Sequence, residues 1–188
     1  MTFYTAIQMA SELNIDVNRT PMVVSQNAAM YNLKGGRPPT GKGKDSLMTD
    51  DVVDMIDLLY GMMLTTGNDC AKTIAENVGS LLEDKKMEDR RKSKKENNQS
   101  KNLASCDQIF IKYMNNYAQE LGMDNTVFSN CHGIVNSRNF STCEDMIKLV
   151  EKAMAIHSFR QIIKTVRYSV TIKRKNEPLI LTWENLNK

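Results

Sequence analysis

The sequence predicts an α+β fold, mostly helical, that ends in a β-hairpin. Apolar residues recur at helical spacing in six segments of the chain. In residues 166–172 apolar and polar side chains alternate instead, which favours a strand. A polar turn at residues 173–177 then leads into a second strand at residues 179–183. Because two strands alone are marginally stable in water, we expect this hairpin to belong to a larger sheet.

The helices are predicted from apolar periodicity together with local start and stop signals. The segment beginning at Asp51 has an acidic first turn, which suits the positive end of a helix dipole. Ser141 and Glu144 have the spacing of a capping box. Residues 20–46 are rich in glycine and proline and predict a loop. The six predicted helices are residues 1–13, 51–65, 68–78, 106–121, 141–156 and 157–164.

Composition indicates a globular domain or a large part of one. Apolar residues make up 41% of the 188 positions, which excludes a disordered composition. No apolar run approaches the about 18 residues that a membrane span needs, so no span is predicted. Residues 1–16 lack the basic region and cleavage site of a signal peptide. They have the pattern of a helix interior without a cap, and we therefore expect the chain to be truncated.

Residues 83–101 are highly charged. They contain eight basic and five acidic residues and so account for the whole net charge of +3. Met87 is their only apolar residue, which leaves too little surface to offset the entropy of ordering. We predict a disordered, solvated insertion within a single domain at 1–188. Nucleic-acid or anionic-membrane binding is the alternative, but interleaved acids and missing aromatics favour a plain charged loop or exposed helix.

Residues 65–69 form a polar turn between two apolar helical runs. Gly67 is expected to supply unusual backbone angles, and Asn68 and Asp69 are good N-cap residues. A hydroxyl at Thr66 and a carboxamide at Asn68 are then close together and can line a cleft. A well-capped junction of two helices, without a functional role, explains the same residues. Local sequence preferences alone favour this structural interpretation over a functional cleft.

Four sequence blocks resemble motifs of the D-alanyl-D-alanine carboxypeptidases, serine peptidase family S11, and they occur in the family's order. In the first block, Thr66 stands where the family has Ser. The blocks are Leu58-Leu59-Tyr60-Gly61 with Thr66-Gly67-Asn68-Asp69, then residues 113–123 (YMNNYAQELGM), 125–134 (NTVFSNCHGI) and 141–146 (STCEDM).

The resemblance implies an α/β (α+β) fold of the β-lactamase/transpeptidase-like type, in which a helical cluster packs on an antiparallel sheet, here incomplete. It implies a penicillin-binding serine-type carboxypeptidase that hydrolyses the terminal D-alanine of peptidoglycan-type peptides through an acyl-enzyme. Thr66 is then a catalytic candidate as a proton relay. Asn68 is a catalytic and substrate-binding candidate that orients the peptide.

Two of the family's three active-site motifs do not occur in the sequence. Neither Ser-x-x-Lys, which supplies the nucleophile and base, nor Lys-Thr-Gly is found among the 188 residues. In the family, Met-Thr follows shortly after Ser-x-x-Lys, and Met1 and Thr2 match that pair. The nucleophile and base are therefore expected just upstream of Met1. We expect this chain alone to be inactive, because an isolated Thr66 has no Lys base to activate it.

Cysteine and histidine offer a competing prediction. Four cysteines (Cys70, Cys106, Cys131, Cys143) and two histidines (His132, His157) could be imagined as zinc ligands. There is no Cys-x-x-Cys and no histidine pair at metal spacing, so ordinary thiols are predicted and no metal or cofactor. His132 is interpreted as a structural hydrogen-bonding residue, and disulfide pairing is left open.

Three functional hypotheses follow. The first is an S11 carboxypeptidase seen as a partial domain, with a peptide or peptidoglycan-type substrate. The second is a non-catalytic relative, and the third is an interaction protein that acts through the basic segment 83–101. No nucleic-acid partner is expected, and the oligomeric state is left open. Localisation is also left open, because the family is usually extracytoplasmic whereas the start of this chain has no signal-peptide pattern.

Overall fold

The computed structural model describes residues 1–31, 47–92, 103–175 and 177–186. Helices dominate, and the strands form two small antiparallel sheets. In chain order the elements are α1 (Thr2–Leu13), β1 (Pro21–Val23), α2 (Gln26–Tyr31), β2 (Val52–Asp54), α3 (Met55–Thr65), α4 (Asn68–Lys92), α5 (Leu103–Glu120), α6 (Cys143–Ala155), α7 (His157–Lys164), β3 (Arg167–Ile172) and β4 (Leu179–Glu184).

Helix α4 lies at the centre of the helical cluster and packs against α1, α2, α3 and α5. Its residues Ile74 and Val78 are fully buried. Phe110 of α5 and Leu58 of α3 are fully buried in the same core. The N-terminal ends of α4 and α1 are thereby held in one packed unit, which positions the loop before α4.

The predicted β-hairpin is confirmed. Strands β3 and β4 pair antiparallel from Arg167↔Glu184 to Ile172↔Leu179. Alternate residues of each strand face the core. Val170 of β3 and Trp183 of β4 are buried, whereas their neighbours Thr171 and Thr182 are exposed. This inner face joins the helical core through contacts of β4 with α3, as expected for a helical cluster on an antiparallel sheet.

The second sheet was not predicted. Strand β1 lies in a region predicted as loop, and β2 occupies positions 52–54, which were predicted as the start of a helix. The helix prediction at 51–54 is wrong because the β-branched Val52 and Val53 pair with β1, and Val52 also bridges to Lys173 beyond β3. Helix α2 likewise falls in the predicted loop 20–46, whose residues 32–46 lie outside the described part of the chain.

Other helix ends also differ from the prediction, and α5 begins at Leu103 rather than at residue 106. Helix α4 continues to Lys92 rather than ending at residue 78, because Leu82 still packs into the core. At α6 the capping residue is Thr142, whose side chain accepts a hydrogen bond from the Asp145 amide at 3.2 Å. The Ser141 hydroxyl instead pairs with that of Thr126 at 2.8 Å, so the predicted capping box does not form there.

The charged segment 83–101 is partly described. Its residues 83–92 belong to α4, whereas 93–101 lie outside the described residues. Lys85 donates to the Glu12 carbonyl at 2.8 Å, and the Lys86 ammonium lies 5.5 Å from the Tyr113 ring. The predicted insertion and its boundaries stay a prediction. Over the residues that the structure describes, none of the helices has the length and apolar character needed to cross a membrane.

Candidate active site

The loop between α3 and α4 carries the predicted site residues Thr66 and Asn68. The Thr65 hydroxyl donates to the Gly61 carbonyl at 2.7 Å and closes the end of α3. Thr66 follows in the left-handed region, at φ 55° and ψ 39°. A β-branched residue rarely adopts these angles, so the loop holds Thr66 in a strained conformation. The sequence assigned the unusual angles to Gly67, and that assignment is wrong.

Gly67 has a different role, which is close approach. A Cβ atom at Gly67 would lie 3.1 Å from both the Asp69 carboxylate and the Cys70 sulfur, and 3.2 Å from the Gly61 carbonyl. These distances are shorter than ordinary van der Waals contacts, so a side chain at this position would be too crowded. Asp69 is buried, which raises the pKa of its carboxyl, and its Oδ1 accepts from the Cys70 amide at 2.8 Å. The loop is thus packed tightly against the first turn of α4.

Thr66 and Asn68 lie in the wall of a cleft of about 1030 Å³. Thr66 is exposed and Asn68 is half-buried. Met1 and Thr2, at the start of α1, line the same cleft. The structure therefore brings both predicted residues together beside the N-terminal end of α1. Their proposed chemical roles stay predictions.

The rest of the cleft lining is largely apolar. Much of it comes from the segment after α5 and from α6. A cleft with a few polar groups on a mainly apolar surface is typical of sites for small molecules and short peptides. The apolar lining includes Val127, Phe128, Phe140, Met146 and Val150.

Side-chain hydrogen bonds fix this apolar wall. Asn115 on α5 clamps the backbone of Phe128, donating to its carbonyl and accepting from its amide, both at 2.8 Å. Asn130 closes the next turn by accepting from the Gly133 amide at 2.7 Å. The Thr2 hydroxyl donates to the Cys131 carbonyl at 2.6 Å and ties this turn to α1. The cleft walls are thus connected directly to each other.

Asp145 anchors the same segment from α6. Its Oδ2 accepts hydrogen bonds from the Asn125 amide at 2.9 Å and the Thr126 hydroxyl at 2.8 Å. Burial alone would raise the pKa of the Asp145 carboxyl, but these hydrogen bonds, with that from Lys148, hold it below its usual value. The carboxylate is therefore a charged, fully hydrogen-bonded support for the start of the apolar wall.

His132 lies in this wall as a neutral side chain. Burial is the main cause that lowers its pKa. Its Nδ1 accepts from the Ile134 amide at 3.2 Å, and its ring lies 4.5 Å from that of Tyr31. These contacts agree with the predicted structural, hydrogen-bonding role of His132.

Comparison with known proteins identifies the family. The pattern of the family described as D-alanyl-D-alanine carboxypeptidase (peptidase S11) matches residues 100–188. The D-alanyl-D-alanine carboxypeptidase of Streptomyces sp. strain K15 is 30% identical over 179 residues, which cover 94% of this chain and 52% of the relative. These matches support a partial member of the peptidase S11 family. D-alanyl-D-alanine carboxypeptidase DacC of Escherichia coli K12 is 28% identical over 148 residues, covering 75% of this chain and 30% of DacC.

Solved S11-type structures support the same fold. The crystal structure of the Streptomyces K15 DD-transpeptidase superposes with a TM-score of 0.71 at 25% identity, over 97% of this chain and 63% of that one. The carboxypeptidase DacD from Francisella tularensis gives a TM-score of 0.56 at 25% identity, over 87% of this chain and 31% of DacD. The predicted family and fold class are confirmed. The S11 chain described here spans about half the length of its Streptomyces relative.

A buried charge cluster next to this S11 cleft was missed by the sequence analysis. Lys72 on α4 pairs with Asp107 on α5, and its Nζ lies 3.6 Å from Glu76 Oε1. Burial lowers the pKa of Lys72, but the hydrogen bond and charge of Asp107 outweigh it and raise the pKa overall. The available signal was the i, i+4 pair Lys72 and Glu76 within a largely apolar stretch of α4.

The cysteines behave as ordinary thiols. Among the described residues none of the four forms a disulfide; Cys70, Cys106 and Cys131 are buried and Cys143 is exposed. Burial raises the pKa of the Cys131 thiol to about 12, so it is protonated at neutral pH. Within residues 1–31, 47–92, 103–175 and 177–186, no cluster of three or more potential metal-ligating side chains has formed.

Proposed function

We propose that this chain is part of a serine-type D-Ala-D-Ala carboxypeptidase that acts on the C-terminal end of peptidoglycan-type peptides. One observation carries the proposal: Thr66 and Asn68 share a cleft with Met1 and Thr2 at the start of α1. In the family, Ser-x-x-Lys shortly precedes the Met-Thr pair that Met1 and Thr2 match. A nucleophile at that place would open onto the same cleft.

The two residues suit different steps of acyl transfer. The Thr66 hydroxyl both donates and accepts hydrogen bonds, so it is suited to pass a proton between the base and the leaving amine. The Asn68 carboxamide can bond to the backbone of a peptide and orient its scissile carbonyl. Because Thr66 carries a methyl group that Ser lacks, its hydroxyl has fewer rotamers and the cleft is narrower at this point.

The 188 residues by themselves are proposed to be inactive. They contain no Ser-x-x-Lys and no Lys-Thr-Gly. Without a Lys neighbour of lowered pKa, Thr66 has no base to take its proton. Loss of the nucleophile alone lowers turnover by about 10⁶ in a serine peptidase. Intact-protein mass spectrometry after incubation with penicillin should therefore show no adduct, and a stoichiometric adduct mapped to Thr66 would contradict this.

The family-level activity is tested in a chimera that joins this chain to the flanking segments of the Streptomyces relative. The folded chimera should bind fluorescent penicillin covalently and release D-alanine from a D-Ala-D-Ala peptide. Asn68→Ala should lower the labelling rate by about 10²-fold, since one positioned donor in the site is lost. The control Asn116→Ala removes an exposed carboxamide outside the cleft and should have no effect. A folded chimera that remains unlabelled would refute the proposal.

Two alternatives give different results. A non-catalytic relative would bind a D-Ala-D-Ala peptide in the chimera without forming an acyl-enzyme. An interaction protein that acts through segment 83–101 would need its basic side chains available to a partner. That alternative has less support, because Lys85 and Lys86 already contact Glu12 and Tyr113 of the same chain.

A further inference from the structure

A second cavity, of about 350 Å³, lies next to the proposed active-site cleft. Residues of the turn 130–135, including His132, line both spaces, so this turn is a wall between them. Tyr31 lines the second cavity, and so do the buried Lys72 and Asp107. We call this space the Lys72–Asp107 cavity. Unlike the cleft, it is built largely from polar and charged side chains.

The charges of its wall, together with that of Glu76 next to Lys72, are unfavourable to an anion. Lys72 pairs with Asp107 and also lies 3.6 Å from Glu76, so its positive charge is already matched by two carboxylates. Glu76 is held in place by Ser25 at 2.5 Å and Asn27 at 3.1 Å. Together, Lys72, Glu76 and Asp107 carry one more negative than positive charge. A cationic group would balance that charge, whereas an anion would add to it.

Asp107 has unused hydrogen-bonding capacity. Its Oδ2 binds Lys72, but its buried Oδ1 has no hydrogen-bond partner among the described residues. A buried, unpartnered carboxylate oxygen is unfavourable, and native proteins usually satisfy such atoms. Asp107 lines the cavity, so a hydrogen-bond donor bound there can satisfy this oxygen.

The aromatic wall also suits a cation. The Tyr31 ring already lies 5.6 Å from the Lys72 ammonium, which shows that a cation can approach that ring. His132 packs on Tyr31 at 4.5 Å between ring centres. Because burial lowers the pKa of His132, this imidazole is neutral at pH 7 and does not repel a cation. Carboxylate and aromatic groups together are a common environment for an organic ammonium.

The geometry points to the Lys72–Asp107 cavity as a binding site for the primary ammonium group of a small amine, with Asp107 Oδ1 as the acceptor and the Tyr31 ring as the apolar side. The site is separate from acyl transfer and does not depend on the function proposed above. It requires no nucleophile and no residue of the loop 65–68.

Methylammonium chloride is the probe that tests this site on the unaltered chain. In ¹⁵N–¹H correlation spectra, the amides of Cys131, His132 and Ile134 should shift in a saturable manner. For a ligand of two heavy atoms, we expect a dissociation constant on the order of 10 mM. Sodium chloride at equal ionic strength and methanol, which matches the probe in size without its charge, should not produce these saturable shifts. Equal responses to methylammonium and to either control would overturn the proposal.

A matched pair of variants locates the site. Asp107→Asn removes the acceptor charge and should weaken methylammonium binding at least tenfold. Asp124→Asn removes an exposed carboxylate elsewhere and should leave the dissociation constant unchanged. Unchanged binding in folded Asp107→Asn would refute the assignment. If that variant does not fold, the comparison of methylammonium with methanol and sodium on the unaltered chain still decides the question.

Discussion

The hydroxyl of Thr2 donates a hydrogen bond of 2.6 Å to the backbone carbonyl of Cys131, 129 positions further along the chain. The bond joins the first turn of α1 to the turn 130–135 in the apolar wall. Both belong to the cleft that contains Thr66 and Asn68. The start of α1 is therefore held by the side chain of its own first residue.

Replacing Thr2 by Val tests this connection. The change keeps the shape of the side chain but leaves the Cys131 carbonyl without its donor, so the free energy of unfolding should fall by about 1–2 kcal/mol. Urea denaturation measures the difference. Thr20→Val is the control, because Thr20 donates to the Asp16 carbonyl at 2.7 Å in an exposed position where water can replace it. Equal losses of unfolding free energy in the two variants would show that the Thr2 hydrogen bond contributes no more than an exposed one.

Thr66→Gly should stabilise the chain. Thr66 has φ 55°, an angle that glycine adopts freely and a β-branched residue does not. Relief of this strain should exceed the extra entropy of the unfolded chain, for a net gain of up to about 1 kcal/mol. Thr65→Gly, one position earlier and inside α3, should instead destabilise by about 1 kcal/mol, because it loses the hydrogen bond to the Gly61 carbonyl as well as some helix propensity. A loss of stability in Thr66→Gly would contradict the left-handed geometry of this loop.

Gly61→Ala should destabilise the junction of α3, α4 and β4. A Cβ atom at Gly61 would lie 2.8 Å from the Cys70 sulfur and 2.9 Å from the Trp183 ring. Such overpacking typically lowers the free energy of unfolding by about 1–3 kcal/mol. The double variant Gly61→Ala with Cys70→Ala removes one of the two clashes and should recover part of that loss, which a double-mutant cycle measures. Strictly additive effects of the two changes would argue against the contact.

The sequence predicted those parts of the fold that are coded by local pattern. The hairpin was found because residues 166–172 alternate and a polar turn separates them from the next strand. The loop 65–68 was found because its polar residues interrupt two apolar helices. The family blocks added the place of this loop beside α1, but they did not show that the positive φ lies at Thr66, the C-cap of α3, rather than at Gly67.

Pairings between distant segments were not predictable in the same way. Strands β1 and β2 have only three residues each and are far apart in sequence, so neither shows a clear period. The pair Lys72–Asp107 brings together residues 35 positions apart, on helices whose relative rotation the sequence does not specify. Such contacts depend on how the helices pack against each other, and the periodicity of one sequence carries no information about that packing.

Asp145 should make stability depend on pH in the acid range. Its folded pKa lies below the usual value, so the carboxylate contributes stability above the unfolded pKa of about 3.9 and loses it as pH falls through the folded pKa. The difference in unfolding free energy between the unaltered chain and Asp145→Asn should therefore be largest above about pH 5 and should shrink toward pH 2.

Burial raises the pKa of Asp57 and Asp69 and gives them the opposite pH dependence, but both are present in each protein and cancel in the difference. Asp124→Asn, at an exposed position, serves as the control and should show no such trend. A difference for Asp145→Asn that stays constant from pH 7 to pH 2 in urea titrations would show that its hydrogen bonds to Asn125 and Thr126 do not favour the charged carboxylate.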